Sequence, residues 1–295
     1  MPLRAVLLVL LSCFLHAWWN LLLKRARNKL AFTALYLPSA CVLCLPVFLW
    51  LAPAARIPSA GWGCIAATSV VYFGYFVGLA MAYQGGELSV MYPLTRGLGP
   101  ALAFVGGVVV LSERPSGLGA LGAALILCGV WALHWQGRSA ARLGVPLKAL
   151  LMPSSLAALF VGFTYSTYSL IDKVGVGRLH INPLVYIYLT YVGSSLFVIP
   201  WLTCREGVDA LRAEWRLNAA SAAAVGVLNY VAYGMVLYAM SLPNTPVSYV
   251  VPLRTVSVLI GVLLGVRVLG EGRLAAKLVG ALFMMAGIAL MAWKG

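Results

Sequence analysis

The feature that most constrains this chain is a succession of apolar runs, each about 20 residues long, separated by short polar, Pro- or Gly-containing segments. A helix rises about 1.5 Å per residue, so about 20 residues cross the roughly 30 Å hydrocarbon core of a bilayer. With 62% apolar and only 9% charged residues, the chain has more apolar surface than a water-soluble core can bury. The runs therefore predict an all-α membrane protein.

Ten such runs can be delimited by charges, Pro or Gly. The first five run from Leu3 to Leu23, Leu30 to Leu51, Trp62 to Tyr83, Ser89 to Leu111, and Gly117 to Trp135. The other five run from Leu151 to Ile171, Pro183 to Cys204, Asn218 to Ser241, Val247 to Val268, and Ala275 to Trp293.

An internal repeat relates the two groups of runs. Six residues of the first group recur 158 positions later, a coincidence that composition alone does not explain. The pairs are Tyr72 and Tyr230, Tyr75 and Tyr233, Arg96 and Arg254, Glu113 and Glu271, Gly122 and Gly280, and Gly129 and Gly287. The opening spans align at an offset of 149, Asn20-Leu-Leu-Leu-Lys24 with Ser169-Leu-Ile-Asp-Lys173, and a longer loop from Arg205 to Leu217 accounts for the difference.

An odd number of spans per half predicts that the second half enters the membrane from the opposite face. We therefore expect two inverted five-helix repeats, at residues 1–136 and 151–295. Inverted repeats give many secondary carriers two states of similar energy, one open to each side. The predicted topology favours transport.

Each predicted half contains a turn with a glutamate before a Gly-rich helix, Leu111-Ser-Glu-Arg-Pro115 and Leu269-Gly-Glu-Gly-Arg273. With the repeat, these turns resemble the EamA family of the drug/metabolite transporter superfamily over essentially the whole chain. A carboxylate before a helix faces the positive end of its dipole, so we interpret Glu113 and Glu271 as structural caps. The glycines seven apart that follow are interpreted as notches for close helix packing.

The first span carries His16-Ala-Trp-Trp-Asn20, which resembles a subfamily associated with phosphonate utilisation. Relatives often have Arg-Glu in the ninth span, whereas this chain has Arg254-Thr255, so a possible partner carboxylate is missing. An anionic solute remains compatible with the arginines.

Arg96 and Arg254 each lie about seven residues, or on the order of 10 Å, inside a predicted span. An arginine near the centre of a membrane helix costs about 2.5 to 3.5 kcal/mol on insertion scales, so both side chains are expected to face the protein interior. They either bind backbone carbonyls and headgroups or capture an anion, and their symmetric placement favours the anion.

Polar residues at four-residue spacing form a stripe on the first span. Its repeat counterpart offers Tyr165, Tyr168, Ser169 and Asp172 on one face, so the two helices can line opposite walls of one cavity. His16 is a candidate proton-coupled group, or else makes a helix–helix hydrogen bond. Tyrosines of the third and eighth spans either stack on a solute or fill space. The predicted solute-binding residues are Arg96, Arg254, His16, Trp19, Asn20, Tyr72, Tyr165, Tyr168, Asn229 and Tyr230.

The preferred function is a secondary carrier for a small anionic or zwitterionic metabolite, working by alternating access without a cofactor or metal. Efflux of cationic drugs is the alternative, and it needs a carboxylate within the membrane. We place Glu87, Glu113 and Glu271 in turns and Asp172 at a helix end, so this alternative is disfavoured. An intramembrane enzyme is disfavoured because the histidines lack nucleophile or metal-ligand spacing. The net charge of +14 suits lipid headgroups, and nucleic acid is not expected as a partner.

We expect a multi-pass protein of the bacterial inner membrane that is a monomer or a weak homo-oligomer. Lys and Arg are more numerous at the span ends on the side of the Lys24 to Lys29 loop than on the side of the termini. The positive-inside rule then puts the termini outside, whereas the family resemblance implies cytoplasmic termini, which we adopt.

Overall fold

The structure is a computed structural model that describes residues 1–24, 26, 28–85, 88–134, 153–260 and 274–294. Every regular element in these ranges is helical, as the apolar runs predict. The helices of the first half are α1 (Leu3–Lys24), α2 (Lys29–Leu43), α3 (Leu45–Leu51), α4 (Ser59–Gly85), α5 (Leu88–Val109) and α6 (Gly117–His134). Those of the second half are α7 (Pro153–Asp172), α8 (Pro183–Glu206), α9 (Val208–Ser241), α10 (Val247–Arg254) and α11 (Leu274–Lys294).

Asparagine side chains begin two of these helices. Asn28 Oδ1 accepts hydrogen bonds from the amides of Leu30 and Ala31 at the start of α2, both at 3.1 Å. Asn182 Oδ1 does the same for α8, where Pro183 occupies the first helical position. Both use an N-cap acceptor for amides that have no partner within the helix.

Three described helices are long and apolar enough by themselves to cross a membrane, Ser59–Gly78 within α4, Pro183–Glu206 and Val208–Ser241. The pair α2 and α3, bent by 48° at Cys44, forms a fourth such unit. Five further apolar helices in the described ranges are shorter. The arrangement of ten spans stays a prediction.

The segment Arg205 to Leu217 differs from its prediction as a loop. Only Gly207, with φ of +79°, separates α8 from α9, and α9 is helical from Val208. The charges that suggested a loop belong to an extra helical stretch that meets the apolar part of α9 at a kink, where Asn218 has φ −133° and ψ 20°. Asn218 Nδ2 donates to Glu214 Oε1 at 2.7 Å across this kink.

The packing between the two halves is reciprocal. α1 packs against α9 and its repeat counterpart α7 packs against α4; likewise α2 contacts α9 while α8 contacts α4. α1 contacts α10, and α7 contacts α5. Exchanging the halves therefore reproduces the same set of contacts, as a two-fold relation between them would.

Glycines join α6 to α11. A Cβ atom on Gly122 would lie 2.8 Å from the carbonyl oxygen of Gly287, and one on Gly129 would lie 2.7 Å from the carbonyl oxygen of Gly280. The predicted packing role of these glycines is confirmed. Since the later residue of α6 meets the earlier residue of α11, the two helices run antiparallel.

Candidate functional site

Arg254 lies where the two halves meet, at the end of the first stretch of α10. Its guanidinium carbon is 4.6 Å from the centre of the Tyr233 ring and 5.9 Å from that of Tyr165. The backbone turns at Thr255, and the helix then continues to Ile260. The side chain is half-buried, and the stacking on aromatic faces offsets part of the loss of hydration.

A tyrosine cluster, defined as Tyr72, Tyr165, Tyr168 and Tyr233, surrounds this guanidinium. The ring centres of Tyr72 and Tyr168 are 4.4 Å apart, and those of Tyr165 and Tyr168 are 5.2 Å apart. All four side chains are buried. Three of them were predicted as site residues, and the structure places them together with Arg254. Tyr233 was predicted only as one of the tyrosines that either stack on a solute or fill space.

Asp172 is an acid of the protein interior, which sequence reasoning did not expect. It is fully buried, and its carboxylate accepts hydrogen bonds from Thr68 Oγ1 at 2.8 Å, from the Tyr186 hydroxyl at 3.0 Å, and from the Tyr233 hydroxyl. α7 ends at Asp172, as the sequence predicted, but a π-helical stretch follows it directly and continues to Arg178. The expectation that Asp172 is no interior acid is wrong, because the side chain is fully buried. An acid within an otherwise apolar, tyrosine-rich face was the available signal.

Tyr233 connects the two charged groups of this site. Its hydroxyl donates a hydrogen bond to Asp172, while the guanidinium of Arg254 stacks on its ring. A buried carboxylate with several hydroxyl donors can stay ionised, and the nearby cation balances its charge. Asp172, Tyr233 and Arg254 thus form one electrostatic unit.

His16 and Trp19 lie on α1 at a second wall of the interior. The Trp19 Nε1–H donates to His16 Nδ1 at 3.1 Å, and both side chains are buried. The Trp19 ring lies 6.0 Å from that of Tyr36, and Asn229 interacts with the Tyr36 hydroxyl. Rings of Tyr36, Phe76 and Tyr72 continue this wall toward the tyrosine cluster, with centre distances of 6.5 and 6.1 Å.

Not every predicted residue presents its polar atom to this region. The Tyr230 hydroxyl donates to the Leu184 carbonyl at 2.8 Å, so it ties α9 to α8. The side chains of Asn20 and Arg96 lie outside the described residues, although their backbones belong to α1 and α5. α1 contacts α10 next to the arginine, since the Cys13 thiol donates to the Arg254 carbonyl at 3.3 Å.

Glu113 is a cap, as predicted, but of another helix. Its carboxylate accepts from the amides of Val247 at 2.7 Å and of Ser248 at 2.9 Å, at the start of α10. The prediction that it serves the helix following it in the chain is wrong, because the turn brings it to the other half. Glu271 lies outside the described residues. The carboxylate of Glu113 thereby positions the helix that carries Arg254.

No three His, Cys, Asp or Glu side chains within the described ranges gather closely enough to hold a metal ion. Both carboxylate oxygens of Asp172 accept hydrogen bonds from hydroxyl groups. The groups that this region brings together are a guanidinium, a set of phenol rings and a histidine ring.

Comparisons with known proteins agree with this architecture. A family model described as the EamA-like transporter family matches residues 3–135 and 152–293. A solved crystal structure of a protein superimposes with a TM-score of 0.75, covers 99% of both chains and is 17% identical in sequence, which shows the same fold. A comparison with curated proteins gave no match.

Proposed function

The chain belongs to the EamA-like transporter family, and from this premise we propose that it is a secondary carrier of a small anionic or zwitterionic metabolite. The observation that carries the proposal is the guanidinium of Arg254, held 4.6 Å over the Tyr233 ring where the two halves meet. Carboxylate, phosphate and phosphonate groups match the planar fork of a guanidinium. The subfamily resemblance makes phosphonates one class to test.

The transport cycle proposed is alternating access between two inverted repeats, at residues 1–136 and 151–295, in the bacterial inner membrane. Two observations support the inverted relation. The contacts between the halves are reciprocal, and the glycine pairs of α6 and α11 match in antiparallel order. A site between two related halves can open to either side as they rock against each other. The transporting unit is proposed to be a monomer or a weak homo-oligomer.

The alternative, efflux of a cationic solute, gains one observation, the buried carboxylate of Asp172. That carboxylate already accepts from three hydroxyls, and the guanidinium of Arg254 lies on the other side of Tyr233. A cation approaching Asp172 would have to displace hydroxyl donors and meet a like charge. An anion meets neither obstacle at Arg254, and we therefore favour the anion.

The test is solute flux into proteoliposomes containing the purified full chain. The solute is the compound that most raises thermal stability in a screen of amino acids, phosphonates and sugar phosphates. Replacing Arg254 by Gln removes the charge and the paired donors, so flux should fall at least about 100-fold, while Arg254→Lys should retain part of it. Arg212→Gln is the control, since Arg212 is an exposed arginine paired with Asp209.

The fold of each variant is checked by its unfolding midpoint without solute. Undiminished flux in Arg254→Gln, with a native unfolding midpoint, would show that Arg254 does not bind the solute. The same protein is then assayed with quaternary ammonium compounds, whose accumulation would support the cationic alternative.

A further inference from the structure

The Tyr191 hydroxyl is a buried polar group for which the described residues provide no hydrogen-bond partner. The side chain is 1% exposed, and its hydroxyl has no hydrogen-bond partner among the described residues. Nearly all buried hydroxyls in proteins have a partner, so an exception calls for an explanation. Sequence analysis did not single out this residue, and its position is matched by no tyrosine at the repeat offsets.

Other hydroxyl-bearing side chains of α8 near Tyr191 do have hydrogen-bond partners, so being on this helix does not by itself leave a hydroxyl without one. The Tyr186 hydroxyl donates to Asp172, and the Tyr188 hydroxyl donates to the Cys41 carbonyl at 3.0 Å. Thr190 and Ser195 each donate to the carbonyl four residues earlier. The Tyr191 hydroxyl makes no such hydrogen bond within the described residues.

Arg254 is one of the groups near the Tyr191 hydroxyl. The Tyr191 ring is 6.2 Å from that of Tyr230, and its hydroxyl is close enough to Arg254, Tyr36, Cys41 and Tyr72 for electrostatic interaction. These residues come from α2, α4, α9 and α10. The hydroxyl therefore lies close to the interior region that Arg254 and the tyrosine cluster line.

We propose that the Tyr191 hydroxyl is a second solute-binding group, which donates a hydrogen bond to the same oxyanion that the Arg254 guanidinium binds. A guanidinium has only hydrogen-bond donors, so it cannot accept from the phenolic O–H beside it. One negatively charged oxygen group can accept hydrogen bonds from the guanidinium and from the phenol at once, whereas a cation can accept from neither. The inference rests on the proposed function and narrows it to solutes with a carboxylate, phosphate or phosphonate group.

The experiment compares two measurements on Tyr191→Phe, which removes one oxygen atom. The first is the unfolding midpoint without solute, which should be unchanged or higher, because no protein hydrogen bond is lost and an unsatisfied hydroxyl is removed. The second is the affinity for inorganic phosphate, methylphosphonate and L-alanine, measured by thermal shift. For the probe that the native chain binds most tightly, we expect a loss of about tenfold or more, as for a hydrogen bond to a charged group.

Two controls match this substitution. Tyr188→Phe removes the hydroxyl that donates to Cys41 on the same helix, and it should not weaken probe binding. Ser248→Ala removes the other buried hydroxyl without a partner in the described ranges; Ser248 lies at the start of α10 beside Glu113. Like Tyr191→Phe, Ser248→Ala should leave the unfolding midpoint of the unbound protein unchanged or higher. Unlike Tyr191→Phe, it should not weaken probe binding.

The outcomes separate the two proposals. If Arg254→Gln abolishes probe binding and Tyr191→Phe leaves it intact, the second binding group is refuted and the anion carrier stands. If neither variant changes the binding of any probe, or no probe stabilises the native chain, the anion site itself is refuted and this inference with it. A lower unfolding midpoint for unbound Tyr191→Phe would show that the hydroxyl has a structural partner, which also overturns the inference.

Discussion

The two halves of the chain meet at two interfaces built on opposite principles. Along α6 and α11, glycines remove the side chains and bring one backbone against the other. Around Asp172 and Arg254, large polar side chains fill the space and link α4, α7, α8 and α9 by hydrogen bonds. We call these the glycine seam, defined by Gly122, Gly129, Gly280 and Gly287, and the polar interface, defined by Thr68, Asp172, Tyr186, Tyr233 and Arg254.

The glycine seam follows the repeat throughout, whereas the polar interface departs from it at Asp172. Each glycine of the seam has a glycine counterpart 158 positions away. Asp172 aligns with Leu23 at the offset of 149, so the carboxylate has no counterpart in the first half. Both halves need the same contact for packing, whereas a solute approaching from either side needs only one site. Asp172 therefore departs from the repeat, whereas Tyr233 and Arg254 beside it keep their counterparts Tyr75 and Arg96.

The largest expected effect is at the seam. In Gly129→Val, the added carbons meet Met284 and the Gly280 carbonyl, and the backbone carbonyl cannot rotate away. We expect a loss of more than about 3 kcal/mol in the free energy of unfolding, measured by detergent titration in mixed micelles. Gly63→Val is the matched control, because a Cβ there has no neighbour within 4 Å, and its change should stay within about 0.5 kcal/mol. Equal losses at both positions would remove the distinction between seam and surface.

The next effect is at the polar interface. Asp172→Asn keeps the size of the side chain, but its amide nitrogen cannot accept from a hydroxyl, so at least one of the three donors loses its acceptor. Arg254 also loses its nearby negative charge. We expect a loss of about 2 to 3 kcal/mol in unfolding free energy together with a fall in flux. Asp209→Asn makes the same chemical change at an exposed site and should alter neither quantity.

A double-mutant cycle sharpens this result. If Asp172 acts through Tyr233, the effects of Asp172→Asn and Tyr233→Phe on unfolding should not add, since both remove the same hydrogen bond. Additive losses would mean that the two residues stabilise the fold independently and that Tyr233 does not link Asp172 to Arg254.

How much could be predicted from the sequence differs between the glycine seam and the polar interface. Residues repeated at one offset identified the packing glycines and marked Arg254, and the apolar runs matched the helical segments closely. Asp172 was assigned to the cavity face but not to the hydroxyls that bind it, and Tyr191 was missed, because both roles depend on which groups of other helices lie around them. No local pattern contains that information. Glu113 falls between the two cases, since its type and its turn predicted a cap, but only the tertiary fold determines which helix it caps.

Glu113 provides a smaller test of how the halves are joined. Its two oxygens accept from Val247 and Ser248 at the start of α10. In Glu113→Gln the amide nitrogen replaces one acceptor, so one amide loses its charged partner, and we expect a loss of about 1 to 2 kcal/mol in unfolding free energy. Glu206→Gln, whose carboxylate is partly exposed beside Arg205, should cost less. A native-like Glu113→Gln would mean that the cap contributes nothing to the position of α10.

The smallest expected effect compares two caps that occupy corresponding places in the repeat. Asn182→Ala removes the acceptor for the first amides of α8 and should lower the unfolding free energy by about 1 kcal/mol. Asn28→Ala removes the same acceptor from α2, but also a bond from Asn28 Nδ2 to Glu206 at 3.2 Å, which has no counterpart at Asn182 among the described residues. Asn28→Ala should therefore cost a few tenths of a kcal/mol more, in the detergent titration used for the seam. If Asn182→Ala proves the more damaging, the extra bond at Asn28 contributes nothing, and departures from the repeat do not by themselves indicate added interactions.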